Sequence, residues 1–361
     1  MKTKLFLLFA LVLSTTSYQV SGQRHEMSIP DIPGYVTLKC DFHIHTVFSD
    51  GDIWPVQRVK EAWEDGLDAI AITDHIEYTP HKDYVKTDLN AGWELSKKTA
   101  ENLNIILIHG AEITRKMPPG HLNALFIKDA NELTDPDLMK TIEAAVKQGA
   151  FIEYNHPGWK NQEPDGIPKL YPIHKELISK GWLNGIEYYN DVEYYPLVLD
   201  MCRDNKLTVM GNSDIHGTVS ENYPYPQYSH RPVTLVFAKE RTSESIREAL
   251  FASRTAIWYG DEVAGFKEFT EPLFYSSIVV GKPFKTDDKN TWFEITNNSD
   301  IPFSLVNGEN GAPAEIYIPA HSSAIVKADK KFSGNAIKYD VKNIITGNGQ
   351  ILNVSISVAS N

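Results

Sequence analysis

Histidines and carboxylates recur where the apolar, strand-like runs of this chain give way to loops. The segment 41–45 reads Asp-Phe-His-Ile-His, and in an extended chain residues two apart point to the same side. Both imidazoles of this H-x-H pair should therefore face one pocket, and histidine is the commonest metal ligand. The other candidate ligands lie close to the ends of further apolar runs; they are Asp50, His75, Glu112, His121, His156, Asp214 and His216.

The elements that must position these side chains alternate between strands and helices up to about residue 265. The predicted strands are 36–42, 68–73, 104–111, 122–127, 151–155, 185–189, 207–211 and 233–237. The predicted helices are 55–65, 93–102, 136–148, 195–205 and 243–253. This alternation favours a parallel sheet, open or closed into a barrel. Active sites of such folds form at the carboxyl ends of the strands, so six histidines and three carboxylates are expected to converge on metal ions there.

The order of the motifs resembles a known family. H-x-H, S-D-G, T-D-H, G-x-E, a lone H, N-H-P and D-x-H follow one another as in the PHP (polymerase and histidinol phosphatase) superfamily of metal-dependent phosphoesterases. The resemblance covers residues 36–260. It implies an α/β fold, a distorted (β/α)7 TIM-like barrel with two or three divalent metal ions (Zn, Mn or Fe) at its C-terminal face.

The resemblance also implies how the ligands are shared. The implied sets are His43, His45, Glu112 and Asp214 for one metal, Glu112, His121 and His156 for a second, and Asp50, His75 and His216 for a third. A carboxylate can bridge two cations, and cations about 3.5–4 Å apart can share a hydroxide. The expected reaction is an in-line attack on phosphorus by a metal-bridging hydroxide held by Glu112 and Asp214. Asp74 is expected to orient a ligand rather than to be one.

Substrate-binding candidates are cationic or aromatic residues near strand ends. Arg231 and Arg254 are expected to hold phosphoryl oxygens, since a guanidinium can bind phosphate in a bidentate manner. The loop residues expected to line the mouth of the site are His81, Arg115, Lys116 and Trp159.

The texture of the sequence changes after Glu271. Short alternating runs at 274–280, 291–296, 316–318, 324–328 and 351–358 are separated by turn clusters, and no helical periodicity is evident. This pattern predicts a small C-terminal β-sandwich. We therefore expect a barrel over residues 23–268 and a sandwich over residues 269–361.

Residues 1–22 have the features of a secretory signal. Lys2 and Lys4 precede a nine-residue apolar run, 5–13, that is too short to span a bilayer. We expect an exported protein, periplasmic or extracellular, with no membrane-spanning segment once the signal is removed. Cys40 and Cys202 are expected to be buried free thiols.

Composition narrows the possible partners. The formal net charge of −12 argues against binding along an extended nucleic acid.

Taken together, these features of the sequence predict an exported phosphoesterase with a small phosphorylated substrate, a monoester in preference to a diester. The alternatives are a metal-dependent hydrolase of the amidohydrolase type and a non-catalytic exported protein that binds metal or glycan. The oligomeric state stays open.

Overall fold

The structure is a computed structural model that describes residues 23–85 and 88–360. The predicted secretory signal, 1–22, lies outside the described residues. The strands of the first part are β1 (Val36–Asp41), β2 (Ala69–Ile72), β3 (Ile106–Thr114), β4 (His121–Leu125), β5 (Phe151–Tyr154), β6 (Gly185–Asn190), β7 (Glu193–Tyr194), β8 (Thr208–Asn212), β9 (Val233–Ala238), β10 (Thr255–Tyr259) and β11 (Glu262–Gly265). The helices are α1 (Pro55–Glu64), α2 (Ala91–Leu103), α3 (Leu138–Lys147), α4 (Pro172–Ser179), α5 (Val198–Asn205), α6 (Val219–Asn222), α7 (Ser243–Phe251) and α8 (Lys267–Ser277).

The strands of the first part form a distorted barrel, as predicted. Their order is β10-β9-β1-β2-β3-β4-β5-β6, and β8 also pairs with β6. The gap between β8 and β9 is closed by side-chain bonds, because the Thr234 hydroxyl accepts from the Gly211 amide at 2.9 Å and donates to its carbonyl at 2.7 Å. An isolated parallel bridge between Ile44 and Ile215 adds a second link across the ring.

Two strands depart from the parallel arrangement that the strand–helix alternation favoured. β4 is antiparallel to both β3 and β5, and β9 is antiparallel to β1. β3 and β4 are joined by a short connection without a helix, and such a connection brings the chain back antiparallel. The distortion follows from this hairpin and from β9, which is antiparallel to both of its neighbours, β1 and β10.

Local sequence explains the individual elements. The four residues of β2 are all buried, as expected for a strand covered on both faces. α3 is capped at its N-terminus by Asp137, whose side chain accepts from the Met139 amide, and it ends shortly before Gly149, which adopts φ +89°. Cys40 and Cys202 are buried and unpaired, as predicted.

The C-terminal part is a β-sandwich, which confirms the prediction. Its strands are β12 (Ile278–Val280), β13 (Lys285–Thr286), β14 (Asn290–Asn297), β15 (Phe303–Val306), β16 (Ile316–Ile318), β17 (Ser323–Asp329), β18 (Ala336–Gly347) and β19 (Gln350–Ser357). One sheet contains β12, β13, β14 and β17, and the other contains β15, β16, β18 and β19. β18 also pairs in parallel with β11, Val263 facing Ile344, so one hydrogen-bonded sheet runs from the barrel into the sandwich.

The expectation of a strand over 274–280 and of no helix after Glu271 was wrong. Helix α8 occupies Lys267–Ser277, and only Ile278–Val280 is extended. The helix buries Phe269, Leu273 and Phe274 on one face, a short helical stripe that Pro272 in its middle obscured. The predicted division at 268/269 falls in the first turn of this helix.

No membrane-spanning segment was expected once the secretory signal is removed. Within residues 23–85 and 88–360, no helix is long and apolar enough to cross a membrane.

Candidate metal centre

The H-x-H pair lies just beyond the end of β1, deep in the barrel. The extended chain continues through Ile44, which bridges to Ile215, and the His45 amide donates to the Ile215 carbonyl at 3.1 Å. His43 Nε2 lies 3.1 Å and His45 Nε2 2.9 Å from the same oxygen, Oδ1 of Asp214. Ligands around one zinc ion, with bonds near 2.1 Å, lie about 3–3.5 Å apart. These three side chains therefore have the spacing of a common coordination sphere.

Glu112 lies at the centre of the cluster. In the β3–β4 hairpin His121 pairs with Thr114, and residues two apart on β3 share a face, so His121 and Glu112 come together. Glu112 Oε1 is 2.9 Å from His121 Nδ1 and 3.7 Å from His156 Nε2, whereas Oε2 is 2.6 Å from His75 Nδ1. The two oxygens of one carboxylate thus face different histidines, as a bridging ligand requires.

Asp50 brings together the third predicted set. Its Oδ1 lies 3.3 Å from His75 Nε2 and 3.3 Å from His216 Nε2. His216 Nδ1 lies 2.7 Å from the Asp214 carbonyl oxygen, and this hydrogen bond leaves Nε2 free to bind a metal. All nine predicted ligands therefore converge.

The hydrogen bonding of the candidate ligands fits a metal centre, because several of their buried atoms are left for a cation. Several buried ligand atoms make no hydrogen bond of acceptable geometry to the described residues, although other ligand atoms lie within 2.6–3.3 Å of them; they are His43 Nε2, His45 Nε2, Asp50 Oδ1, Glu112 Oε2 and His121 Nδ1. Buried polar groups are rarely left unpaired. The groups whose ligand atoms lie within 4.8 Å of one another are His45, Asp50, His75 and His216, then His43, His45 and Glu112, then His75, Glu112 and His121. The third group differs from the predicted second set, which has His156 in place of His75.

Burial and the charges of neighbouring ligands shift the pKa values of the ligands in different directions. Burial lowers the pKa of His45, and His216 and His75 beside it lower it further, to about 3. Burial acts the same way on His75, but Glu112 and Asp50 outweigh it and raise its pKa to about 10. Burial would raise the pKa of Glu112, yet the surrounding histidines bring it well below its usual range. The carboxylates are therefore ionised and available to cations.

Asp74 supports the loop that carries Asp50. Its Oδ1 accepts from the Thr46 amide and the Ser49 hydroxyl, both at 2.7 Å, and its Oδ2 accepts from the Thr46 hydroxyl. Gly51 completes this turn, because a Cβ there would lie 2.7 Å from the His45 carbonyl carbon. Asp74 thus contacts the turn between two ligands rather than a ligand imidazole.

Sequence reasoning missed Glu187, which lies in the middle of β6 and is fully buried. Its Oε1 accepts from His43 Nδ1 at 2.8 Å and from Asn212 at 3.0 Å. Its Oε2 accepts from the His156 amide at 2.6 Å and from Asn190 at 2.8 Å. One carboxylate therefore orients two candidate ligands. The signal was a lone acid in the predicted strand 185–189, whose other residues carry no charge.

Two candidate ligands have backbones in the left-handed region. His156 has φ +27° and Asp214 has φ +50°. Such conformations cost non-glycine residues about 1–3 kcal/mol and are common at functional sites. The bond from the His156 amide to Glu187 helps to hold the first of them.

The prediction that Arg231 and Arg254 hold phosphate was wrong. Arg231 is buried and binds Asp41 at 3.1 Å and Asp65 at 2.6 Å. Arg254 binds Glu248 and the Phe237 carbonyl. Phe237 pairs with the start of β1, at the end of the barrel opposite the ligands. Both guanidinium groups are committed to structural partners.

Three other mouth candidates do not line the cavity. Arg115 binds Glu77 and the Asp135 carbonyl, and His81 lies in a loop outside the cavity lining. Lys116 is exposed and also lies outside the lining.

Trp159 does line the cavity, as predicted. Its ring lies 5.2 Å from that of His156 and 5.9 Å from that of His121. The cavity has a volume of about 680 Å³, within the range of small-molecule sites.

Fold and site together define a metal-binding α/β-barrel protein with a C-terminal sandwich. Comparison with known proteins agrees: residues 41–190 match the PHP domain family, and residues 278–357 match an Ig-like domain family. A solved two-domain protein of Bacteroides vulgatus, described as containing a predicted PHP-like metal-dependent phosphoesterase, is 39% identical. The alignment covers 94% of this chain and 100% of that one, with a TM-score of 0.90. An uncharacterised protein of Methanocaldococcus jannaschii is 29% identical over 191 residues, 50% of this chain and 82% of its own length.

This chain therefore belongs to the PHP family of metal-dependent phosphoesterases.

Proposed function

We propose that this protein hydrolyses phosphate monoesters at a site holding two or three divalent metal ions. The observation that carries the proposal is the convergence of nine predicted ligands, several with buried ligand atoms that make no hydrogen bond of acceptable geometry. Bound divalent cations supply Lewis-acid stabilisation of phosphoryl charge and lower the pKa of water. Imidazole and carboxylate donors suit Zn, Mn or Fe.

The side chains around the site would have different roles, some binding the cations and others positioning the ligands. Glu112 faces histidines through both of its oxygens, so it would hold neighbouring cations together. Glu187 and the Asp214 carbonyl fix the ring orientations of His43 and His216. These contacts pre-position the ligands before substrate arrives.

The depth of the candidate ligands in the barrel favours phosphate monoesters over phosphodiesters within a polymer. His43, His45 and Glu112 are fully buried, whereas the His216 side chain is 38% exposed. Substrate would therefore approach from the side of His216 and reach inward. A terminal phosphoryl group can enter in this way, but a phosphodiester within a polymer would require an open groove.

Metal analysis and phosphate release on one purified sample would test the proposal. We expect at least two bound divalent ions per chain and phosphate release from monoesters. His43→Ala should abolish turnover, and His321→Ala, at an exposed position in the sandwich, should not. Turnover confined to amides or lactones would instead identify an amidohydrolase-type enzyme. Full metal occupancy without any turnover would identify a binding protein.

We also infer that the protein is exported. The support is the charged start and short apolar run within residues 1–22. Export predicts a mature protein beginning near Gln23 in the periplasm or medium. N-terminal sequencing of fractionated cells would detect it, and an uncleaved chain in the cytosol would contradict the inference.

A further inference from the structure

The mouth of the cavity, formed by the lining residues that are not candidate ligands, presents two aromatic rings beside the metal centre. Tyr78 is 52% exposed, and its ring lies 5.8 Å from that of His75. Trp159 packs against His156 and His121. Each exposed ring face offers an apolar platform next to the ligands. A substrate whose phosphate reaches the cations would place its alcohol part against these rings.

Four side-chain amides also line the mouth of the cavity. Asn161, Gln162, Asn190 and Asn222 all line the cavity. The Gln162 NH₂ donates to the Arg115 carbonyl, while its Oε1 is buried without a partner among the described residues. This oxygen is enclosed by the protein, so a substrate would meet the exposed amides of Asn161 and Asn222 instead. Amides both donate and accept, and hydroxyl groups do the same.

The charge of the mouth is negative. Asp191 and Glu193 line it without being candidate ligands, and no Lys or Arg among the described residues lines the cavity. Lys160, next to Trp159, is exposed, and its Cε approaches Gly166 instead. A second phosphate on the substrate would meet two carboxylates and no cation, so the mouth would repel it.

We infer that the natural substrate carries one phosphate on an uncharged, hydroxyl-rich alcohol, of which a sugar monophosphate is the simplest example. The inference rests on the proposed function, because the phosphate itself would bind to the cations. The ring platforms and the exposed amides match the apolar faces and the hydroxyls of a sugar. The acids select against bisphosphates, nucleoside diphosphates and nucleic-acid ends.

Kinetics on the metal-loaded full chain would test this inference. The probes are glucose 6-phosphate, fructose 1,6-bisphosphate, 5′-AMP and p-nitrophenyl phosphate, each followed by phosphate release. We expect the highest kcat/KM for glucose 6-phosphate and a value at least about tenfold lower for the bisphosphate. Glu193→Lys should raise the bisphosphate-to-monophosphate ratio about tenfold. Glu294→Lys, at an exposed position of the sandwich, should leave that ratio unchanged.

The outcomes separate the two proposals. If no ester releases phosphate while metals are bound, the proposed function fails. If esters are cleaved but the bisphosphate or p-nitrophenyl phosphate is preferred over glucose 6-phosphate, the inferred substrate class is wrong and the phosphoesterase activity stands. 5′-AMP, whose adenosine is uncharged and carries hydroxyls, falls within the class. An unchanged ratio in Glu193→Lys would also overturn the assigned role of the mouth.

Discussion

Replacing Glu187 by Gln should weaken metal binding although no predicted ligand residue is replaced. Four donors converge on this carboxylate, from His43, Asn212, the His156 amide and Asn190, at 2.6–3.0 Å. A carboxylate accepts from all four, whereas a glutamine has one accepting oxygen and turns its NH₂ group toward two donors. The substitution therefore breaks two bonds, whichever way the amide turns.

The expected size follows from those bonds. Hydrogen bonds to a charged group contribute about 1.5–3 kcal/mol each, so two lost bonds correspond to roughly 3–6 kcal/mol, shared between folding and metal binding. Loss of a carboxylate partner from a ligand histidine typically lowers metal affinity about 10–100-fold. We expect Glu187→Gln to fall in that range.

Competition with a chelator of known affinity would measure the change. Glu153→Gln is the matched control, because Glu153 is buried in the neighbouring strand and its carboxylate accepts from Asn212 but from no ligand histidine among the described residues. Thermal melting of both metal-free variants would separate folding from binding. Affinity within twofold of the native value in a folded Glu187→Gln protein would refute the reasoning.

Three further predictions concern residues away from the metals. Arg231→Met should cost about 3–5 kcal/mol of folding stability, since it leaves the fully buried Asp41 and the partly exposed Asp65 without their cation, with KM unchanged; a raised KM at unchanged melting temperature would restore the phosphate-binding hypothesis. Burial and then Glu187 raise the pKa of Glu153 well above its usual value, so wild-type stability should fall, by up to about 1.4 kcal/mol per pH unit, once pH exceeds the unfolded pKa of this residue. Glu153→Gln should flatten this loss in urea titrations between pH 5 and 8, and parallel pH profiles would contradict the assignment. Gly211→Ala should destabilise the barrel in urea titrations, because its Cβ would lie 2.3 Å from Ile257 Cγ2; an unchanged midpoint would contradict that packing.

The ligands could be predicted from sequence because strand geometry is local. His43 and His45 had to share a face, and the carboxyl ends of barrel strands had to meet. The bonds of Glu187 to His156 and His43 and that of Arg231 to Asp41 could not be predicted in this way, since they join residues 31 to 190 positions apart. Two arginines near strand ends were therefore taken for phosphate ligands although their charges hold the barrel together. Helix α8 was missed because its apolar stripe is short and contains a proline.

The parallel pairing of β11 with β18 has a consequence for dissecting this molecule. A fragment ending near residue 268 would leave the β11 backbone without its partner over Val263–Ala264. Exposed edges of this kind recruit strands from other chains. Such a fragment should self-associate even with every metal ligand intact, so loss of activity on truncation would not show that the sandwich takes part in the chemistry.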